Sequence, residues 1–263
     1  TDLDGSERSS EPAEDTVATI RDAGGEAMAH PGDVTSLAYT EQLVADTIDE
    51  YGRIDGVVNF AGILRDRISY KMSGEEWDDV IRVHLRGHFA LLRNVAAHWR
   101  GEAGDDGLDT QRSFLSVSSR CAVGLHAIGK TNYAAAKAGI LGLSRTAAQE
   151  LHRHNVRVNA LMPSGFTRQI EKLPKEARTG DEDALPPENV APMVVYLMSD
   201  EATDVTGCTV RTGGDVIGLV SDPELHRLGY RDGGWSAEEI ADVFRDPISQ
   251  GEDLNKSDRV PWP

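Results

Sequence analysis

The sequence predicts an α/β fold: a parallel sheet wound on both faces by helices. Three observations carry this. Short apolar runs bounded by turn residues recur along the chain, at residues 55–60, 113–117, 156–161 and 208–212. Between them lie stretches with helical periodicity that are ten residues or longer. Crossovers of that length join parallel strands with right-handed connections.

The elements follow in order. Residues 1–5 read as the end of a strand turning into a loop, and residues 6–15 are polar and acidic. Pro12 suits the first turn of a helix running to about Asp22, which Gly24 and Gly25 end. Residues 26–30 read as a short strand. Ser36 caps a helix through Leu37, Leu43, Val44, Thr47 and Ile48, stopped at Gly52. A buried run at 55–60 leads into Ala61 and Gly62. Ser73-Gly-Glu-Glu76 is a capping box opening one long helix through Trp77, Val80, Val83, Phe89, Leu92 and Trp99. A Gly/Asp loop at 101–109, a strand at 113–117 and a loop at 118–131 precede a helix from Asn132 to about His152. A strand at 156–161 opens onto a Pro- and charge-rich excursion at 163–185. Its length fits a lid or substrate loop. A helix at 187–198, a final strand at 208–212 and an extension with an amphipathic helix at 236–244 complete the chain.

Composition narrows the function. The chain of 263 residues can bury an ample core in one domain. No stretch approaches the ~18 apolar residues of a membrane span, and no signal peptide is evident. Cys121 and Cys208 are too few and too far apart for a disulfide framework, and no metal site is expected. Acidic residues number 44 against 27 basic ones, a net charge of −17. Such a charge repels nucleic acid and anionic membranes. It also suits a protein kept soluble at high salt, so a halophilic source is expected. The lack of a span, a signal peptide and a disulfide framework makes a cytoplasmic location the expectation.

Tyr133-Ala-Ala-Ala-Lys137 places a phenol and an ammonium one helical turn apart on a shared face. An ammonium beside a phenol favours the phenolate, which would make Tyr133 an acid or base usable near neutrality. With Asn59-Phe-Ala-Gly62, Ser118-Ser119 and Pro163-Ser-Gly-Phe-Thr167, in this order and spacing, the sequence resembles the short-chain dehydrogenase/reductases. The resemblance runs from residue 1 to about 245 and implies a Rossmann-type dinucleotide-binding domain there, with an extension at 246–263. Three segments carry a narrower likeness: Ala61-Gly-Ile-Leu-Arg-Asp-Arg67, Arg82-Val-His-Leu-Arg-Gly87 and Pro187-Glu-Asn-Val-Ala-Pro-Met-Val-Val-Tyr-Leu197. They resemble the (3R)-hydroxyacyl-CoA dehydrogenase part of peroxisomal multifunctional enzyme type 2.

The resemblance implies roles for individual residues. Tyr133 would exchange a proton with the substrate oxygen. Lys137 would lower the Tyr133 pKa and hold the nicotinamide ribose. Ser119 would hydrogen-bond the same substrate oxygen. Asn59, Ala61 and Gly62 would line the adenosine side, Asp33 and Val34 would contact adenine, and Thr167 would hold the carboxamide. Three departures stand out. Ser119 lies 14 residues before Tyr133, one more than the commonest spacing, which leaves Ser118 as a substitute. His84 stands where the family usually has Asn, as a proton-relay or helix-bracing residue. Ser164 replaces the usual Gly after Pro163.

The glycine-rich turn, first strand and first helix that seat a dinucleotide pyrophosphate are absent from this sequence. The expectation is that the native N-terminus lies upstream; the alternative is a relative that acts as a non-catalytic subunit in an assembly. Asp2, or else Asp4, would bond the adenosine ribose and favour NAD over NADP. Arg65, Arg67, Arg82 and Arg86 would face acyl-CoA phosphates or pair with neighbouring carboxylates. The expected activity is NAD-dependent interconversion of a 3-hydroxyacyl-CoA and a 3-oxoacyl-CoA. The alternative substrate is a 3-oxoacyl group on acyl carrier protein or a steroid-like ketone. Apolar residues on several faces of the helices at 75–100 and 132–152 predict a homodimer or homotetramer.

Overall fold

The computed structural model describes residues 10–125, 127–166, 185–225, 227–244 and 248. The chain divides into two compact units, Thr1–Val220 and Ser221–Pro263. In the first, one five-stranded sheet runs in sequence order. Strands β1 (Gly56–Asn59), β2 (Arg112–Val117), β3 (Val156–Pro163) and β4 (Thr209–Gly213) are parallel, and β5 (Val216–Val220) returns antiparallel to β4. Every residue of β2 is buried, as expected of a central parallel strand covered on both faces.

Side chains alternate between the two faces of the sheet. Phe114, Val156 and Val158 pack against helices α2 (Leu37–Tyr51), α4 (Gly87–Glu102) and α5 (Thr131–Leu151), around the fully buried Trp99. The Trp99 indole N–H donates to Ile54 O at 2.8 Å, so this large ring is buried without an orphaned polar atom. Leu115, Leu161 and Val210 point the other way, under α6 (Ala191–Met198). The sheet is therefore doubly wound, an α/β architecture of Rossmann type.

Local signals act where they stand in the chain. Pro12 lies in the first turn of α1 (Glu11–Asp22). Ser36 accepts from Tyr39 N at the start of α2, and Gly52 ends that helix in the left-handed region. Ser73 and Glu76 form both bonds of a capping box on α3 (Gly74–Ile81).

Three readings are corrected. The helix expected to run unbroken through residues 75–100 is interrupted by one turn of π-helix, Arg82–Arg86, between α3 and α4. There Gly87 N–H reaches back to Arg82 O, so an extra residue is accommodated and His84 is turned inward. Residues 26–30 form no strand. A strand needs a hydrogen-bonded neighbour, and none stands beside them among the described residues. Residues 208–212 are not the last strand. A two-residue loop, Gly214-Asp215, folds β5 back onto β4.

In the second unit a capping box of Ser236 and Glu239 opens α7 (Ala237–Val243). Gly229, Trp235, Ile240, Val243, Phe244 and Ile248 line a cavity of about 180 Å³ in this unit. No helix among the described residues is long and apolar enough to cross a membrane.

Candidate active site

Parallel strands deliver their carboxyl ends to one edge of the sheet, where open α/β folds bind ligands. Here that edge carries Asn59 at the end of β1, Ser118 and Ser119 just beyond β2, and Ser164 just beyond β3. The first turns of α5 bring Tyr133 and Lys137 to the same place.

Asn132, which the sequence reading passed over, seats that helix. Its amide donates to Arg65 O at 3.0 Å and Glu76 O at 2.9 Å, and its Oδ1 accepts from Tyr133 N at 2.7 Å. One fully buried side chain thus satisfies an orphan amide at the helix start and ties it to α3.

Ser119 caps the short turn Arg120–Val123 and lies close enough to the Tyr133 hydroxyl to lower its pKa. Ser118 is otherwise engaged: its hydroxyl donates to Lys137 O at 2.8 Å. Lys137 is 3% exposed, and its ammonium donates to Val117 O at 2.7 Å and stands 5.5 Å from the Tyr133 ring centroid. Lys130, paired with Asp66, also stands near this ring, 6.0 Å from its centroid.

The expected electrostatics of the pair need correction. Burial pushes the Tyr133 phenol up to about 12, and Ser119 pulls against that shift without overcoming it. Burial pushes Lys137 down to about 7. Desolvation disfavours both charged forms and is the largest cause of each shift. At neutral pH Tyr133 is therefore a protonated phenol, poised to donate.

His84 packs edge-on against Tyr133, with ring centroids 5.0 Å apart. Its Nε2 lies 2.8 Å from the Ile63 carbonyl and 3.2 Å from the Ile63 amide, while Nδ1 is buried without a partner. Burial, with the Lys137 charge nearby, holds it down to about 3, so the ring is neutral. Gly62 makes room for it: a Cβ there would lie 2.4 Å from His84 Cε1. Asn59 shapes the turn by accepting from Ala61 N at 3.0 Å. Gly213, at φ 138, has the same permissive role at the β4 end, where a Cβ would meet Ser164 O.

The remaining sequence candidates are placed as follows. The Asp33 carboxylate accepts from Thr35 N at 2.9 Å and faces Arg82 at 3.5 Å, and Val34 lies against Gly87 at the start of α4. Of the four arginines, Arg65 pairs with Asp79, Arg67 with Glu76, and Arg82 with Asp79 and Asp33, while Arg86 donates to Thr35 O. Arg65, Arg67 and Arg82 thus meet carboxylates, the second of the two readings left open above, while Arg86 meets a backbone carbonyl instead. Asp2, Asp4 and Thr167 lie outside the described residues. His88, also missed in the sequence, links the π-turn to β2.

Comparison with known proteins decides the family. A family profile described as enoyl-(acyl carrier protein) reductase matches residues 6–214. A hydroxyacyl-CoA dehydrogenase of Mycobacterium tuberculosis is 38% identical over 242 residues, which cover 90% of this chain and 76% of that protein. The chain belongs to the short-chain dehydrogenase/reductase family. The mouse peroxisomal multifunctional enzyme type 2 is 38% identical over 207 residues, covering 78% of this short-chain dehydrogenase and 26% of the larger enzyme. The crystal structure of a short chain dehydrogenase from Mycobacterium avium superposes with a TM-score of 0.79 at 36% identity, covering 95% of this chain and 81% of that one. This chain is thus an oxidoreductase of a family that uses nicotinamide cofactors.

At the strand-end edge Asn59 Nδ2 and Ser164 Oγ are buried without partners, and buried polar atoms require one, so this edge has polar groups free to meet such a cofactor. Lys137 adds a donor at the same edge. Among the described residues no glycine-rich turn opens a helix, so nothing described cradles the pyrophosphate.

Proposed function

We propose that this short-chain dehydrogenase interconverts a (3R)-hydroxyacyl-CoA and the corresponding 3-oxoacyl-CoA with NAD. The observation that carries the reading is the grouping of Ser119, Tyr133 and the buried Lys137 at the carboxyl ends of the strands. The hydroxyacyl-CoA dehydrogenase among its relatives and the family resemblance at Arg65, His84 and Pro187 support the substrate class. The acidic Asp2 supports NAD over NADP, since a carboxylate bonds ribose hydroxyls and repels a 2′-phosphate.

Bound NAD would supply hydride exchange with the substrate carbon. Tyr133 and Ser119 would both hydrogen-bond the substrate oxygen, so charge developing there meets donors already in place. In ketone reduction the phenol hands its proton to that oxygen, the protonation state it already holds at neutral pH. In alcohol oxidation the phenolate must form, and the Lys137 ammonium is the charge that steadies it. Lys137 would also hold the nicotinamide ribose. Asp33 and Val34 would border the adenine, and Asn59, Ala61 and Gly62 the adenosine side, with Thr167 on the carboxamide. His84 would brace the Tyr133 ring, its Nε2 being engaged by Ile63.

The test compares kcat/KM for a (3R)-hydroxyacyl-CoA, its (3S) isomer and the free (3R)-hydroxy acid. The ester should be far better than the acid because binding energy from the remote coenzyme is lost in the acid. Equal rates on acid and ester, or preference for (3S), would overturn the substrate class. A second reading, reduction of acyl groups on acyl carrier protein, is favoured by the description of the matching family and is tested by the same comparison with carrier-bound substrate.

A further inference from the structure

We propose that His88 is a positioning residue for the Tyr133–Lys137 pair, a role that rests on the catalytic reading of that pair. The imidazole is fully buried and joins three parts of the site. Its Nδ1 lies 2.6 Å from His84 O in the π-turn. Its Nε2 lies 3.1 Å from the Val117 amide, which donates to it. The Asn59 backbone at the end of β1 also faces the ring.

Val117 is the residue that matters. The β1–β2 ladder ends with Asn59 opposite Ser116, and Val117 is the first β2 residue beyond it. His88 takes up the Val117 N–H, while the Val117 carbonyl accepts the Lys137 ammonium at 2.7 Å. The next amide, Ser118 N, donates to Leu161 O at 2.7 Å. Both peptide groups flanking Val117 are thereby fixed, and with them the acceptor that holds Lys137. On its other side His88 tethers the carbonyl of His84, whose ring supports Tyr133. One side chain sets the seats of both catalytic groups.

The hydrogen bonds determine the tautomer. Nε2 must offer a lone pair to Val117 N–H, so the proton sits on Nδ1 and is donated to His84 O. The titratable groups facing His88 are Lys137 of α5 and His84 of the π-turn; Lys137 in turn faces Tyr133 and Cys121. Burial beside the Lys137 charge keeps the ring neutral, which preserves this tautomer through the pH range in which the enzyme would work.

The experiment uses His88→Gln and His88→Val, with Asn94→Ala as a control. Asn94 is buried on the same helix and bonds Leu37 and Thr40 of α2. Two quantities are read at a temperature well below each Tm: kcat, and the titration of Lys137 followed by 13C NMR of labelled lysines. With six lysines in the chain, Lys137→Met assigns the signal. Both His88 variants should lose about 10- to 100-fold in kcat, as misplacement of a catalytic group does. Lys137 should titrate higher than in the parent, because water reaches it. Asn94→Ala should lower Tm and change neither quantity. His88 variants that lose only Tm, with kcat and the Lys137 titration unchanged, would overturn the proposal. Should both variants fail to fold, 15N NMR of the unsubstituted protein decides: the Nδ1–H tautomer is expected, and an Nε2–H tautomer would sink the idea. Tyr133→Phe is assayed alongside. If it stays active, the catalytic reading falls, and the Lys137 titration still judges the link to His88.

Discussion

Acidification from pH 7 to 5 should destabilise this protein, chiefly through His84 and His88. Burial holds each of them down to about 3, against 6.5 for an exposed histidine. The folded pKa lies below the unfolded one, so between these values the unfolded chain binds more protons. Stability is then full above about pH 6.5 and falls as the pH drops toward 3. At pH 5 the unfolded histidine sits 1.5 units above the pH, worth about 2 kcal/mol for each ring and about 4 kcal/mol for both. That is a large share of the ~5–15 kcal/mol that holds a domain together. The depressed carboxylates of Asp46 and Glu76 do not enter this window, since their contribution is lost only below their unfolded values near pH 4. The assay is urea unfolding at pH 7, 6 and 5 at constant ionic strength, because a net charge of −17 makes stability depend on salt. His88→Gln should remove about half of the pH slope. An unfolding free energy flat from pH 7 to 5, or an unchanged slope in that variant, would refute the reasoning.

Other outcomes follow from the same contacts. Tyr133→Phe keeps the ring packed on His84 and removes the transferable proton, so turnover should fall by about 10²-fold or more with Tm preserved; near-normal turnover would exclude Tyr133 as the acid. Lys137 is depressed to about 7, so the parent should gain stability as pH rises from 7 to 9, and Lys137→Met should abolish that gain along with activity. Gly62→Ala puts a methyl 2.4 Å from His84 Cε1 and should cost about 1–3 kcal/mol by denaturant unfolding, with a loss of kcat as the Tyr133 support shifts. Phe89 on α4 is 46% exposed, and a dimer or tetramer that covers it is expected in sedimentation at high salt; a monomer there would reject the proposed association.

The sequence alone determined whatever depends on near neighbours in the chain. Ser36, Ser73 and Ser236 cap their helices because a cap needs only the next three residues. Tyr133 and Lys137 share a helix face because four residues make about one turn. The strand–helix alternation gave the parallel sheet for the same reason. The extra antiparallel strand was present in the sequence as Gly213-Gly-Asp215 between two apolar runs, a hairpin signal that the reading left unused.

Tertiary structure decided the rest. Nothing near His88 in sequence says that its ring will meet Val117, 29 residues away, or that Asn132 will reach Arg65 and Glu76. The π-turn that aims His84 at Tyr133 differs from α-helix by one hydrogen-bond register, which periodicity does not resolve over five residues. Most plainly, proximity to Lys137 predicted a lowered Tyr133 pKa, and the folded protein raises it to about 12. Spacing along a helix sets which charges are near each other. How much water remains between and around them is settled only when the sheet, the π-turn and α5 close over the pair, and here desolvation is the largest influence on both.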